Sequence, residues 1–202
     1  MDPEALRRWL AEPHSELITA VAEGVRAHVA TLKERSIGFY GYALLPGEPY
    51  DVHSLVAVTN SESDIKVPRT DKLYRYYRFS VDEWARWDHE GFTAANALLV
   101  QANQRFAAMH SKAGAGYSMD EFEVAHTEAL LEAVVRGLEA AKSAGAFDDT
   151  ETFLAVWISD SAHPIMCESV RRLNPAAVTS EFMAEFGSWA IGNSGIPGRV
   201  EK

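Results

Sequence analysis

Residues 153–175 read FLAVWISDSAHPIMCESVRRLNP and join an apolar run to a polar turn and then to an Arg-rich segment. The apolar run, which we extend to residues 152–159, has the composition of a strand that is buried in a sheet. Pro164 suits the first turn of a helix, so we predict a helix over residues 164–173. The NP pair that ends the stretch marks the start of a last helix, which reaches about Phe186. This junction therefore decides how the last strand meets the last two helices.

Three further segments read as strands, and all of them precede residue 80. Residues 37–45 are aromatic and aliphatic without charge, and the turn sequence PGEPYD leads to a hairpin partner at residues 52–59. Residues 73–79, LYRYYRF, read as a third strand whose alternate side chains point to opposite faces. The fourth strand follows about 70 residues of helical pattern, which excludes a repeating βαβ chain. We predict an α+β fold, with a small, mostly antiparallel sheet of about four strands packed with six to seven helices.

Apolar residues at helical spacing predict the remaining helices. Residues 15–35 carry an apolar residue every three or four positions, and residues 92–109 carry a second such stripe. Two further helix starts combine a capping box with a hydrophobic staple, at residues 80–83 (SVDE) and 118–121 (SMDE). Asp2 and Pro3 suit the N-cap and the first position of a further, short helix. The helices predicted before the junction are therefore 4–11, 15–35, 80–90, 92–109 and 118–143.

At 202 residues, with 47% hydrophobic and 24% charged residues, the chain has the composition of a soluble globular protein with one core. We predict one domain over residues 1–186 and a loose, Gly- and Ser-rich tail over residues 187–202. The N-terminus has no apolar leader and no apolar run could span a bilayer, so we predict a cytoplasmic protein. Cys167 is the single cysteine, which excludes an internal disulfide and a thiolate zinc site. We predict no metal and no cofactor.

The formal net charge of −10 argues against general affinity for nucleic acid or anionic lipid, because both require Lys and Arg to neutralise phosphates. The charges are unevenly distributed along the chain. Residues 118–151 are strongly acidic, which we interpret as a solvated helix face, whereas residues 66–78 are basic. A protein with this net charge would associate rapidly with a basic partner.

Asp160, Glu168 and Arg171 are the candidate catalytic residues, because they follow the end of a predicted buried strand. No G-x-S-x-G, P-loop or H-E-x-x-H motif occurs elsewhere in the chain. At an active site here, Asp160 or Glu168 would act as acid or base, and Arg171 would hold an anion. We favour a structural role for the junction residues over a catalytic one. Asp160 and Ser161 could cap the next helix, and Glu168 and Arg172 have the i, i+4 spacing of an ion pair.

Tyr74, Tyr76 and Arg78 are the candidate binding residues, together with Asp160 and Arg171 at the junction. Aromatic residues beside Arg and Lys are typical of the stacking platforms of single-stranded nucleic-acid-binding proteins. The net acidity argues against that function, and a strand with one aromatic face in the core is favoured. If Tyr74 and Tyr76 are exposed, they would anchor an interface, because Tyr and Arg dominate binding hot spots.

Three patterns that contain histidine favour structural interpretations. Glu123 and His126 have the i, i+3 spacing of di-iron bundles, but no second pair exists, so we expect His126 on a helix surface. His28 lies on the apolar side of its helix and reads as a satisfied, partly buried histidine. Residues 88–90, DHE, read as charges at a helix end, because consecutive helical side chains diverge.

Three strings in order resemble the bacterial family called domain of unknown function 4303 (DUF4303). They are FYGYALL from residue 39, YYRFSVDEW from residue 76, and FLAVWISDS followed by ESVRRLNP from residue 153. The resemblance spans residues 17–186 and implies a single-domain bacterial protein, but it transfers no catalytic residue. Members of this kind are similar in size and style to small α+β immunity proteins that neutralise secreted toxins, which is an analogy of fold.

These observations predict a protein-binding module, of the immunity type, that occludes a basic toxin domain. Two alternatives stay open. One is an enzyme with its site at residues 157–172, and the other is a single-stranded nucleic-acid binder that uses residues 66–79. We expect no membrane partner, and the sequence does not predict an oligomeric state.

Overall fold

The computed structural model describes residues 3–48, 51–110, 119–147 and 152–192. In these ranges it contains four strands: β1 (Gly41–Glu48), β2 (Asp51–Asn60), β3 (Arg86–Asp88) and β4 (Phe153–Val156). They form one sheet in the order β3–β2–β1–β4. The β1–β2 and β2–β3 pairs are antiparallel, whereas β1 and β4 are parallel, so the sheet is mixed. The predicted α+β fold is confirmed.

The described ranges also contain seven α-helices. They are α1 (Pro3–Leu10), α2 (Ser15–Glu34), α3 (Tyr74–Phe79), α4 (Thr93–Met109), α5 (Glu121–Ser143), α6 (Pro164–Leu173) and α7 (Ala176–Gly192), and short 3-10 turns occur at Glu62–Asp64 and Val81–Glu83. The apolar stripe of α2 is buried as predicted. α2 packs on α5 and α4, α4 covers β2, α6 packs on β4, and α7 contacts α6 and α3. None of these helices has both the length and the apolar character that a membrane crossing requires.

The predicted strand at residues 73–79 is wrong, because this segment forms α3. The Asp71 carboxylate accepts a hydrogen bond from the Leu73 N–H at 2.8 Å, and the N–H of Tyr77 donates to the Leu73 carbonyl. Propensity favoured a strand because the segment is rich in aromatic residues. Tertiary packing decides otherwise, since the helical turn buries Phe79 in the core.

The predicted helix at residues 80–90 is also wrong. The helical part of this segment is a single 3-10 turn at Val81–Glu83, and Arg86–Asp88 then forms β3 at the edge of the sheet. The Ser80 side chain makes no capping hydrogen bond. Trp84, which follows this turn, is buried, and its ring packs so closely on Gly41 that a Cβ there would lie 2.5 Å from it.

Two helix ends differ from the sequence prediction. Asp120, and not Ser118, caps α5: its Oδ1 accepts from the N–H of Glu123 at 3.0 Å, and Glu123 Oε2 accepts from the Asp120 N–H. Ser118 lies outside the described residues. At the other end of the chain α7 continues to Gly192, so the first residues of the predicted loose tail are helical.

Side chains of α4, α6 and the C-cap of α6 close two edges of the sheet, which are the edge strand β4 and the part of β2 that extends beyond its pairing with β3. Along β4, Asn174 accepts from the Leu154 N–H at 2.8 Å and donates to the Leu154 carbonyl at 2.7 Å, and Ser169 Oγ accepts from the Val156 N–H. Along β2, the Asn96 amide oxygen accepts from the Leu55 N–H, and Asn103 donates to the Val52 carbonyl. These bonds occupy backbone groups that an edge strand would otherwise offer to another chain.

Candidate binding surface

The three strings that carry the family resemblance meet at one end of the sheet. Trp84 lies with its ring 6.0 Å from the rings of both Tyr40 and Phe153, and Phe79 lies 5.0 Å from Phe153. Gly41, which pairs with Phe153 across the parallel strands, provides the space for Trp84. The strings therefore form one packed aromatic corner.

Asp82 connects this corner to the junction after β4. Its carboxylate accepts from Trp157 Nε1 at 3.0 Å and from Ser159 Oγ at 2.6 Å. Trp157 is buried, so Asp82 supplies the hydrogen bond that the buried indole N–H requires. Asp82 was not predicted as a functional residue, because the pattern at residues 80–83 was interpreted only as a helix start.

Tyr40, Glu62, Tyr74 and Arg78 form a connected group that we call the Tyr–Arg cluster. The Arg78 guanidinium binds the Glu62 carboxylate, lies 3.2 Å from the Tyr74 hydroxyl and stands over the Tyr40 ring at 4.3 Å. Tyr74 also donates to Glu62 at 2.8 Å. Partial burial opposes ionisation of Glu62, but hydrogen bonds from Tyr74 and Arg78 hold its pKa below the usual value. The cluster is thus held in one arrangement by its own contacts.

A groove of about 620 Å³ adjoins the Tyr–Arg cluster. Its walls include Phe39, Tyr40, Ser61, Glu62 and Arg86. Burial raises the pKa of Tyr40 to about 12, so its phenol is neutral; it donates to the Arg78 carbonyl at 2.9 Å. Arg86 binds Asp64 at 2.8 Å through Nη2, while its Nη1 is buried and has no hydrogen-bond partner among the described residues. The groove therefore combines aromatic surface with guanidinium and hydroxyl groups.

The three residues predicted from the Tyr-rich segment are not all together. Tyr74 and Arg78 lie one helical turn apart and join the cluster, since i and i+4 side chains are neighbours on a helix. Tyr76 instead stacks on Phe186, with the ring centroids 6.1 Å apart, and is half-buried. Tyr74 and Arg78 therefore belong to the Tyr–Arg cluster, whereas Tyr76 packs α3 on α7, and all three side chains are half-buried rather than fully exposed.

The residues predicted at the junction are exposed, and none of them lines the groove beside the Tyr–Arg cluster. Asp160 is in the left-handed backbone region with φ of 51°, and Arg171 points into solvent. Glu168 forms the expected i, i+4 pair with Arg172, at 3.5 Å. Neither Asp160 nor Ser161 caps α6, because His163 takes the N-cap position and its Nδ1 accepts from the N–H two residues on.

Arg172 is the centre of an ion-pair group that joins α6 to α5. Its guanidinium binds both oxygens of Glu132, at 2.5 and 3.1 Å, and both oxygens of Glu139, at 2.8 and 2.9 Å. The hydrogen bonds that Arg172 donates to Glu139 and Glu132 raise its pKa. Glu121 pairs with Arg7, and Glu128 lies 3.3 Å from His163. The acids of α5 lie on its surface as expected, but many of them pair with basic residues of the same protein.

The buried histidines have structural partners. His28, predicted to be satisfied, binds the Tyr42 hydroxyl at 3.0 Å and Asp88 at 3.2 Å. Burial lowers the pKa of His28, so Nε2–H of the neutral ring donates to the carboxylate while Nδ1 accepts from Tyr42. His126 is not on the surface, as we expected, but is 5% exposed and bonded to Asn103 at 2.8 Å.

The described ranges contain no group of three or more side chains suited to hold a metal ion. No curated protein and no solved structure matches the chain. One family model matches most of the chain, and the matched residues include all three strings that meet at the aromatic corner. The chain belongs to the family described as domain of unknown function (DUF4303), which matches residues 19–175.

Proposed function

We propose that this protein is a protein-binding module of the immunity type, which captures a toxin domain and blocks it. The observation that carries the proposal is the Tyr–Arg cluster beside its groove. Tyr and Arg are the residues that most often dominate binding energy at interfaces. Side chains that are held in place before binding also lose less conformational entropy when a partner docks. Tyr74 and Arg78 meet both conditions.

The net charge supports a basic partner at the encounter stage. A protein of charge −10 attracts a basic partner over distances beyond direct contact and so accelerates association. Because Arg172 neutralises Glu132 and Glu139, we do not assign the contact surface to that part of α5. The groove and cluster contain charges of both signs, because Glu62 pairs with Arg78 and Asp64 pairs with Arg86. This mixed surface is compatible with a basic partner.

The proposal is tested by expressing the gene next to this one in a laboratory bacterium. We expect that gene product to arrest growth, and we expect co-expression of this protein to restore growth and to yield a complex on gel filtration. The association rate should fall as salt is added, because salt screens the attraction. Growth arrest that this protein does not relieve, in the absence of any complex, would contradict the proposal.

Variants of the cluster locate the contact surface. We expect Tyr74→Ala to weaken the complex by at least about tenfold, the effect of losing a moderate hot spot. Arg26→Ala, an exposed change on α2 away from the groove, is the control and should leave affinity unchanged. Thermal unfolding of both variants shows whether the fold is intact. If Tyr74→Ala binds as tightly as the control, the surface lies elsewhere.

Among the described residues, we find no contact that favours either alternative function. Asp160, Glu168 and Arg171 do not share a described groove, which is what an active site at the junction requires. Residues 73–79 form a helix, so the sheet strand that would serve as a stacking platform for bases is not formed. We therefore propose only the binding function.

A further inference from the structure

A second cavity, of about 490 Å³, lies where α1, α2 and α4 meet. Its volume falls within the range of small-molecule sites. It shares no lining residue with the groove beside the Tyr–Arg cluster. Leu17 and Leu98 provide an apolar wall, and Trp9 is buried beneath it. The cavity is therefore a separate site, and a ligand bound there would be independent of the proposed function.

Charged groups of both signs line this cavity without pairing with one another. The Arg105 guanidinium stands over the Trp9 ring at 5.3 Å and lies within ion-pair distance of no carboxylate in the described part of the chain. Glu12 and Glu16 line the same cavity, and neither forms an ion pair with a Lys or Arg in the described ranges; both of them are exposed, as is Arg105. Most acids of α5, by contrast, lie within ion-pair distance of a basic residue. Unmatched charges of opposite sign in one cavity suit a ligand that carries both a positive and a negative group.

Neutral polar groups complete the lining. His14 Nε2 is buried and has no hydrogen-bond partner in the described ranges. Burial, assisted by Arg105, lowers the pKa of His14, so its ring is neutral at neutral pH and can donate or accept. No side chain caps the start of α2, and Ser15 and Glu16 of its first turn line the cavity. The Ser15 N–H donates to the Pro13 carbonyl at 2.8 Å, and the other N–H groups of this first turn, which no side chain caps, favour an anionic group.

We propose that this cavity binds a free α-amino acid in its zwitterionic form. The carboxylate pairs with Arg105 and faces the start of α2, while the ammonium group pairs with Glu12 and Glu16. An aliphatic side chain lies against Leu17 and Leu98. A ligand with one charge alone leaves one of the two sets of cavity charges unmatched, and this sets the specificity.

Calorimetric titration of the full chain with each standard L-amino acid tests the proposal. We expect at least one aliphatic amino acid to bind with a Kd between about 10 μM and 1 mM. Its N-acetyl derivative lacks the ammonium charge and its amide lacks the carboxylate charge. We expect each derivative to bind at least about tenfold more weakly, because each removes one charge-assisted contact.

Paired variants show whether the named charges are responsible. We expect Arg105→Gln and Glu16→Gln each to weaken binding at least about tenfold. Arg26→Gln and Glu23→Gln make the same charge changes at exposed positions of α2 outside the cavity, and they should bind normally. The proposal is overturned if no amino acid binds at millimolar concentration, if the N-acetyl derivative binds as well as its parent, or if the control variants lose as much affinity as the cavity variants.

Discussion

The two closed edges of the sheet are built from the same kind of bond but in different surroundings. At β4, Asn174 and Ser169 are both buried, and they bond to a buried strand. At β2, Asn96 and Asn103 are half-buried, and Asn103 also holds the imidazole of His126. The β4 edge thus depends on fully buried hydrogen bonds, whereas the β2 edge depends on half-buried amides, one of which is bonded to a histidine that can take up a proton. Four substitutions test this difference, from the largest expected effect to the smallest.

Asn174→Ala should have the largest effect. It removes the bonds to the N–H and carbonyl of Leu154 and to the carbonyl of Val170, and it leaves a small cavity. We expect the free energy of unfolding to fall by about 3 kcal/mol, because the buried backbone groups gain no other partner. Urea unfolding at neutral pH measures this loss. Gln104→Ala, an exposed change on α4, is the control, and a loss at Asn174 no larger than the control would refute the comparison.

Acid should weaken the β2 edge through His126. Burial, with a smaller effect from His14, lowers the pKa of His126 to about 4. Its Nε2–H donates to Asn103, and its Nδ1 is buried without a described partner, so a proton added there has no acceptor. In the unfolded chain the pKa is about 6.5, so the unfolded state binds more protons between these two values. Stability is therefore complete above about pH 6.5 and is lost as the pH falls towards 4.

The measurement is urea unfolding at pH 7.5 and at pH 5. We expect His126 alone to lower the free energy of unfolding by about 2 kcal/mol at pH 5 relative to pH 7.5. The variant His126→Gln should lack that part of the loss. His14 and His28, whose pKa values burial also lowers, retain a share of the acid sensitivity in the variant. His53→Gln, at an exposed position, should behave as the wild type does. An equal loss in wild type and His126→Gln would show that this edge does not respond to protons.

Ser169→Ala tests the second bond of the β4 edge. The hydroxyl accepts from the buried Val156 N–H at 3.0 Å and lies 2.9 Å from the Met166 carbonyl. We expect a loss of about 1.5 kcal/mol in the free energy of unfolding, because an unsatisfied buried N–H is left. The same urea experiment measures it, and Ser180→Ala on the exposed side of α7 is the matched control.

Asn96→Ala should have the smallest effect of the four. It removes a single bond, to the Leu55 N–H at 2.8 Å, from a position that is half-buried. We expect a loss of only about 0.5 kcal/mol, because water can replace the amide oxygen. A loss as large as that of Asn174→Ala would mean that both edges are equally closed to water.

The sequence allowed correct prediction where a single element carries the signal. α2, α5 and α6 were predicted because apolar spacing, a capping pattern or a proline marks each of them. Residues 73–90 were mispredicted because the aromatic composition favoured a strand and the SVDE pattern favoured a helix start. In both cases packing around Trp84 and Phe79 overrides the local preference.

The binding surface was partly predictable for a geometrical reason. Residues 74 and 78 share one side in a strand of period two and also in a helix, because four residues are close to one helical turn. Tyr74 and Arg78 therefore lie together although the segment is a helix and not the predicted strand, whereas Tyr76 lies apart from them. Glu62 was not predicted, because no local pattern in the loop before α3 indicates that it lies beside Arg78.

The parallel pairing of β1 with β4 has a consequence for how the chain is made. Gly41 lies opposite Phe153, 112 residues later in the sequence (153 − 41). While the ribosome synthesises the intervening helices, β1 and β2 can form a hairpin, but the other side of β1 has no strand to pair with. Contacts of such long separation form slowly, and an unpaired strand edge promotes aggregation of nascent chains. The sheet is completed only when β4 emerges, and its outer edge is closed only after Asn174 has followed.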